Sequence, residues 1–159
     1  MININLVVVG KIKESFHREE ISELVKRLSK YCKVSTLEVD PVVYKDESPQ
    51  IIKMILNKEG ESLLKLIRDD AYVFLLDLHG KEISSEEFAT KLDNLISGGK
   101  NNITFVIGGS YGLSDQVRER SNFRIKLSPM TFTHQMTRVI ILEQIYRAFK
   151  IINHETYHK

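Results

Sequence analysis

The sequence predicts an α/β fold with a doubly wound parallel sheet, and three observations carry that expectation. Short apolar, β-branched runs alternate with longer stretches of helical period along the whole chain. Those runs, such as Leu6-Val7-Val8-Val9 and Ile103 to Ile107, are apolar at nearly every position, with Thr104 as an exception, as strands covered on both faces require. Glycine, proline, aspartate or serine stands at most junctions between the two kinds of segment.

Ile2 to Val9 reads as a first strand that is internal to the sheet, closed by Gly10. From Phe16 to Leu28, Ile21, Leu24, Val25 and Leu28 recur at three and four, which predicts a helix with one buried face, and Cys32 after it reads as a small packed residue. Val34 to Val39 is the second strand, stopped by Asp40-Pro41. Ser48-Pro49 has the form of an N-cap followed by proline at the first helical position, and Gly60 argues against one unbroken helix through Ile67. Ala71 to Leu78 is the most hydrophobic run and is expected to be the middle strand. Ser84 and Glu87 form a capping box before a helix with Phe88, Leu92, Leu95 and Ile96 on its buried stripe, ended by Gly98-Gly99. Ile103 to Ile107 is the fourth strand, Ser114 caps a short helix, and Phe123 to Leu127 is the fifth strand. A last helix runs from about Thr133 to Ile152, and its apolar positions, Met136, Val139, Ile140, Ile145, Tyr146, Phe149 and Ile152, exceed what one sheet face usually takes. That surplus points to a partner subunit.

A chain of 159 residues with no repeat and no linker is expected to form a single domain, residues 1–159. The formal net charge of +2 neither demands nor forbids a nucleic-acid partner, and the short basic segment Lys11, Lys13, His17 and Arg18 is diluted by Glu14, Glu19 and Glu20. One cysteine excludes an internal disulfide framework and fits a reducing compartment. With no basic leader and no apolar run of spanning length, a soluble cytoplasmic protein without membrane attachment is expected.

Two loops carry the functional signal. Gly108-Gly109-Ser110-Tyr111-Gly112 breaks abruptly from a buried strand, and Leu127 to Thr133, rich in hydroxyl groups and poor in charge, feeds the last helix. Together they suit the walls of one pocket at the carboxyl edge of a parallel sheet. The glycine loop follows the fourth strand rather than the first and has the wrong spacing for a dinucleotide fingerprint, and no Lys-Ser or Lys-Thr follows to make a Walker loop. No Gly-x-Ser-x-Gly, Cys-x-x-Cys or His-Glu-x-x-His is present, so acyl-transfer triads and zinc hydrolysis lose their usual supports and no metal is expected. Asp77 beside His79 has an acid/base or metal reading and a plainer one, a strand-end carboxylate bonded to its own loop.

Four separated blocks, Phe105 to Gly112, Leu127 to Arg138, Glu143 to Ala148 and Asn153 to His158, together with Val8 to Lys11 and Asn57 to Gly60, resemble the RlmH (YbeA) family of SPOUT methyltransferases over the whole chain. The resemblance implies a SPOUT-type fold with a deep trefoil knot at the carboxyl end and a homodimer. It implies an S-adenosylmethionine-dependent enzyme that methylates N3 of a pseudouridine in the intersubunit stem-loop, helix 69, of 23S rRNA on the assembled 70S ribosome. Methylation of another RNA, or non-catalytic binding to the ribosome, are the alternatives.

Carried onto this sequence, the resemblance places the donor at Leu75, Leu76 and Asp77, at Gly108, Gly109 and Gly112, and at Leu127, Ser128, Pro129, Met130, Thr131 and Phe132. Tyr157 and His158 in the closing tail, with Arg138, are the implied catalytic groups, and His134 is a further helper. Relatives commonly close on Tyr-His-Arg, whereas this chain has Lys159, which keeps the charge but lacks the planar fork of arginine. In the family this tail lines the active site, and because so small a chain has little surface with which to read a large RNA, a dimer in which one subunit holds the donor and the other contributes the tail is expected.

Overall fold

The computed structural model describes residues 1–159. Five strands, β1 (Asn3–Val9), β2 (Lys33–Val39), β3 (Tyr72–Glu82), β4 (Asn102–Ile107) and β5 (Phe123–Lys126), alternate with five helices, α1 (Ser15–Leu28), α2 (Pro49–Lys65), α3 (Ser85–Ser97), α4 (Asp115–Arg120) and α5 (His134–Ile152). All the strand pairs are parallel, in the order β2-β1-β4-β3-β5. Ile4, Leu6 and Val8 of β1 point to one face and Val7 and Val9 to the other, so the consecutive apolar pattern fills two cores. The larger core packs α1, α3 and α5 on the sheet around Phe74, Phe88 and Phe105, whose Phe74 and Phe105 rings stack at 4.9 Å. The smaller packs α2 and α4 on the opposite face through Leu63, Ile67, Leu113 and Val117.

The helix starts follow the capping chemistry. Ser48 accepts from the Ile51 N–H with Pro49 at the first turn, and Ser84 and Glu87 close a reciprocal capping box. Cys32 is buried, with its thiol bonded to the Leu28 carbonyl. No helix is long and apolar enough to cross a membrane.

Two expectations are corrected. The middle strand is β4, with β3 one place toward the β5 edge, although β3 is the more hydrophobic. The α2 helix runs unbroken through Gly60, because a Cβ there would stand 2.3 Å from Ser114 Oγ, and the missing side chain lets α2 and α4 meet closely. In addition β3 continues past Leu78 to Glu82, with a register shift between Leu76 and Lys81 where Gly80 lies against the Arg124 backbone.

Candidate active site

A cavity of about 440 Å3 opens at the carboxyl ends of β3, β4 and β5, within the range of small-molecule sites. Its walls come from Leu76 to His79, where β3 shifts register, from Ile107 to Leu113, from Arg118 and Ile125, and from residues 127, 128 and 130–134 with Thr137. The glycine loop folds on itself: the Gly112 N–H donates to the Gly109 carbonyl at 3.1 Å, and the two residues pair as an isolated bridge. A Cβ at Gly108 would stand 2.4 Å from the Gly112 carbonyl oxygen, so this cradle admits only glycine there. The second loop is shaped by its hydroxyls. Ser128 Oγ accepts from the Met130 N–H at 3.0 Å, and Thr133 caps α5 by accepting from the Met136 N–H at 3.1 Å. Tyr111 Oη donates to Glu47 at 2.8 Å, tying the glycine loop to the segment before α2, and that carboxylate pushes the phenol up.

Leu76, Gly108, Gly109, Gly112, Leu127, Ser128, Met130, Thr131 and Phe132 therefore line one cavity, as expected. Leu75 and Pro129 do not line it, and Leu75 instead packs in the core beneath α2. Asp77 follows the plainer reading. Its side chain, 5% exposed, accepts from the His79 N–H at 3.0 Å and from Arg118 Nε at 3.3 Å, with Arg124 at 4.0 Å, and no metal-binding cluster exists. Arg118 was not foreseen; it lies 41 residues from Asp77, and nothing local signals the pair. His134 does line the cavity, and burial beside Arg138 and Lys13 pushes its imidazole below the ordinary value, so it stays neutral near pH 7.

The catalytic candidates lie elsewhere in the chain. Arg138 is 2% exposed; it is spent on an ion pair with Glu38 at 2.8 Å and on the Gly10 carbonyl, and it lines a separate hollow beside α1. The tail turns back along α5 after His154, which has a φ of 54°. Tyr157 Oη donates to Glu143 at 3.0 Å, and its ring meets Tyr146 edge-on at 5.0 Å. His158 Nδ1 lies 3.0 Å from Arg147, and its Nε2 lies 2.6 Å from Glu86 on α3. The tail is thus held on the α3–α5 flank, away from its own chain's cavity.

A family model described as "Predicted SPOUT methyltransferase" matches residues 2–158. The chain belongs to the SPOUT methyltransferases. Among its relatives, the "Ribosomal RNA large subunit methyltransferase H" of Clostridium botulinum (strain 657 / Type Ba4) is 50% identical over 159 residues, covering 99% of this chain and 100% of that protein. The protein of the same name from Clostridium acetobutylicum is 48% identical over the same shares of both chains. A "Putative ribosomal RNA large subunit methyltransferase H" of Methanococcus vannielii is 47% identical, again over 99% of this chain and all of that protein. This SPOUT methyltransferase uses S-adenosylmethionine as its methyl donor. The cavity fits that molecule: the Gly108 cradle exposes backbone groups at a strand end, and Ile107, Ile125, Leu127 and Phe132 give apolar walls suited to adenine.

Proposed function

We propose that this SPOUT methyltransferase methylates N3 of a pseudouridine in helix 69 of 23S rRNA on the assembled 70S ribosome, as a single-domain, cytoplasmic homodimer. The observation that carries the reading is the glycine-cradled cavity at the sheet's carboxyl edge, in a chain about half identical from end to end to proteins named for large-subunit ribosomal RNA methylation. The trefoil knot belongs to the same reading. Residues 127–133 pass beside the glycine loop, and α5 returns from the β5 edge to pack between α1 and α3, a path consistent with threading.

When bound, S-adenosylmethionine supplies an electrophilic methyl group on a cationic sulfur. The backbone of Gly108 to Gly112 and the turn at Ser128 to Thr131 would hold its polar parts, with Leu76, Leu127 and Phe132 against adenine. N3 of the base must lose a proton before it can act as a nucleophile. Arginine only donates hydrogen bonds, so Arg147 fixes His158 with a bare Nδ1 and its proton on Nε2, donated to Glu86. His158 accepts the N3 proton only by exchanging its Arg147 contact. Burial and the bond to Glu143 keep the Tyr157 phenol protonated with its one O–H given to Glu143, so its oxygen can accept from the base, and it donates to the base only by exchanging the Glu143 contact. The tail's place on the flank supports a composite site in which it serves the cavity of the partner subunit. Exposed Met136, with half-buried Val139 and Ile140 three and four residues on along α5, gives a second copy an apolar surface to cover, and Phe16 and Met130 are exposed as well. Ile145, Tyr146 and Phe149, by contrast, are already buried in the subunit's own core.

The test is transfer of labelled methyl to ribosomes lacking the modification. Deleting residues 157–159 is expected to leave donor affinity and native mass unchanged while cutting transfer about a hundredfold. Full turnover by the truncated protein would move proton removal to His134, whose neutral imidazole lines the donor cavity of its own chain.

A further inference from the structure

Glu59 is the one buried carboxylate beside the donor cavity that has no cation. It sits on α2 at 5% exposure, and one oxygen accepts the Val42 N–H at 3.0 Å. Its other oxygen lies beneath the glycine loop, 3.4 Å from where a Cβ on Gly109 would stand. Asp77, which lines the cavity from β3, also has its carboxylate largely covered but is compensated by Arg118 and Arg124. Glu59 makes no ion pair, and desolvation pushes its carboxyl above the ordinary value against the opposing pull of the Val42 bond. A glutamine would accept from Val42 as well, at a smaller desolvation penalty. What a carboxylate adds at this position is negative charge.

That charge has one place to act. The Gly108-Gly109-Ser110 backbone lining the cavity is the layer that separates it from Glu59, and low-dielectric surroundings strengthen attraction across so thin a layer. The methyl donor carries a sulfonium cation, and its product after transfer, S-adenosylhomocysteine, carries a neutral thioether with the same adenosine and amino-acid ends. We propose that Glu59 is the counter-charge of the sulfonium and makes this cavity favour charged donor over neutral product; this rests on the donor-site reading above. The consequence is easier product release after each transfer.

The test is calorimetry on the full chain with S-adenosylmethionine and S-adenosylhomocysteine, for wild type, Glu59→Gln and Glu59→Ala. Glu59→Gln keeps the acceptor for Val42, so it is expected to weaken donor binding about tenfold while changing product binding less than about twofold, the signature of one screened charge pair. Glu59→Ala is expected to weaken both ligands, because Val42 then loses its partner. Equal weakening of both ligands in Glu59→Gln, or no change in either, would reduce Glu59 to a brace for the loop and overturn the proposal. A wild-type chain that binds neither ligand would overturn the donor-site reading along with it. Sinefungin, an analogue with an amine-bearing carbon in place of the sulfonium, needs no variant: it is expected to bind wild type more tightly than the neutral product, and binding no tighter would also overturn the assignment.

Discussion

Replacing Gly108 with alanine is the smallest change that should close the donor cavity. The added carbon would stand 2.4 Å from the Gly112 carbonyl oxygen and 2.8 Å from Leu113 Cγ, so the loop must open by roughly 1 Å to reach ordinary contact. Overpacking of this kind costs about 1–3 kcal/mol, a fall in Tm of roughly 2–12 °C for a chain of this size. A displacement near 1 Å takes backbone hydrogen bonds to the ligand beyond bonding distance, and losing one or two of them at about 1–1.5 kcal/mol each is expected to weaken donor binding roughly tenfold to a hundredfold. Gly99→Ala supplies the control. Gly99 has a φ of 85° with no atom within 4 Å of the added carbon, so alanine there is strained by about 1–2 kcal/mol without touching a neighbour. Both variants should therefore melt earlier by comparable amounts, and only Gly108→Ala should lose the donor. Scanning calorimetry gives the first quantity and titration calorimetry with S-adenosylmethionine the second. A folded Gly108→Ala protein with wild-type donor affinity would refute the cradle.

Cys32 is pushed up to about 12 by burial, so a thiol reagent at pH 8 should leave the native protein unlabelled and react with one group per chain in denaturant; labelling of the native chain at the free-thiol rate would contradict that burial. Lys150, Tyr31 and Lys30 hold the Glu155 carboxyl down to about 2, so its contribution to stability is complete above its ordinary value of 4.5 and is lost as pH falls from there through about 2. Glu155→Gln should flatten the acid dependence of unfolding in that window, and an unchanged acid limb in urea melts would show that the pairing does not persist in solution.

Element type was legible because it is local. Capping at Ser48, Ser84 and Ser114 depends on residues within one turn, and all three caps form; Thr133, read only as the approximate start of the last helix, caps it as well. Strand order was less legible. The hydrophobicity of β3 reports that it is covered, whereas its place beside β5 follows from the crossovers of the whole chain. Gly60 misled for a related reason: a glycine costs an isolated helix about 1 kcal/mol, but here it permits contact with Ser114 and Val117, which are far away in sequence.

The same division runs through the site. The two loops announce themselves because a glycine cradle and a hydroxyl-rich turn are local chemistry. Arg138 did not, since what occupies it is Glu38, 100 residues away, and the Gly10 carbonyl. An arginine so committed cannot also approach a substrate base without leaving a buried carbonyl unpaired and Glu38 without its cation, which makes it a brace for the β1 end and for the start of α5. The tail is the reverse case, because chain ends ordinarily fray. Here Glu86, Glu143 and Arg147, from two helices, engage the side chains of both Tyr157 and His158. A segment oriented in this way before any partner arrives loses little conformational freedom when a second subunit docks over it, and this is what a composite site needs if positioning is to supply most of its rate.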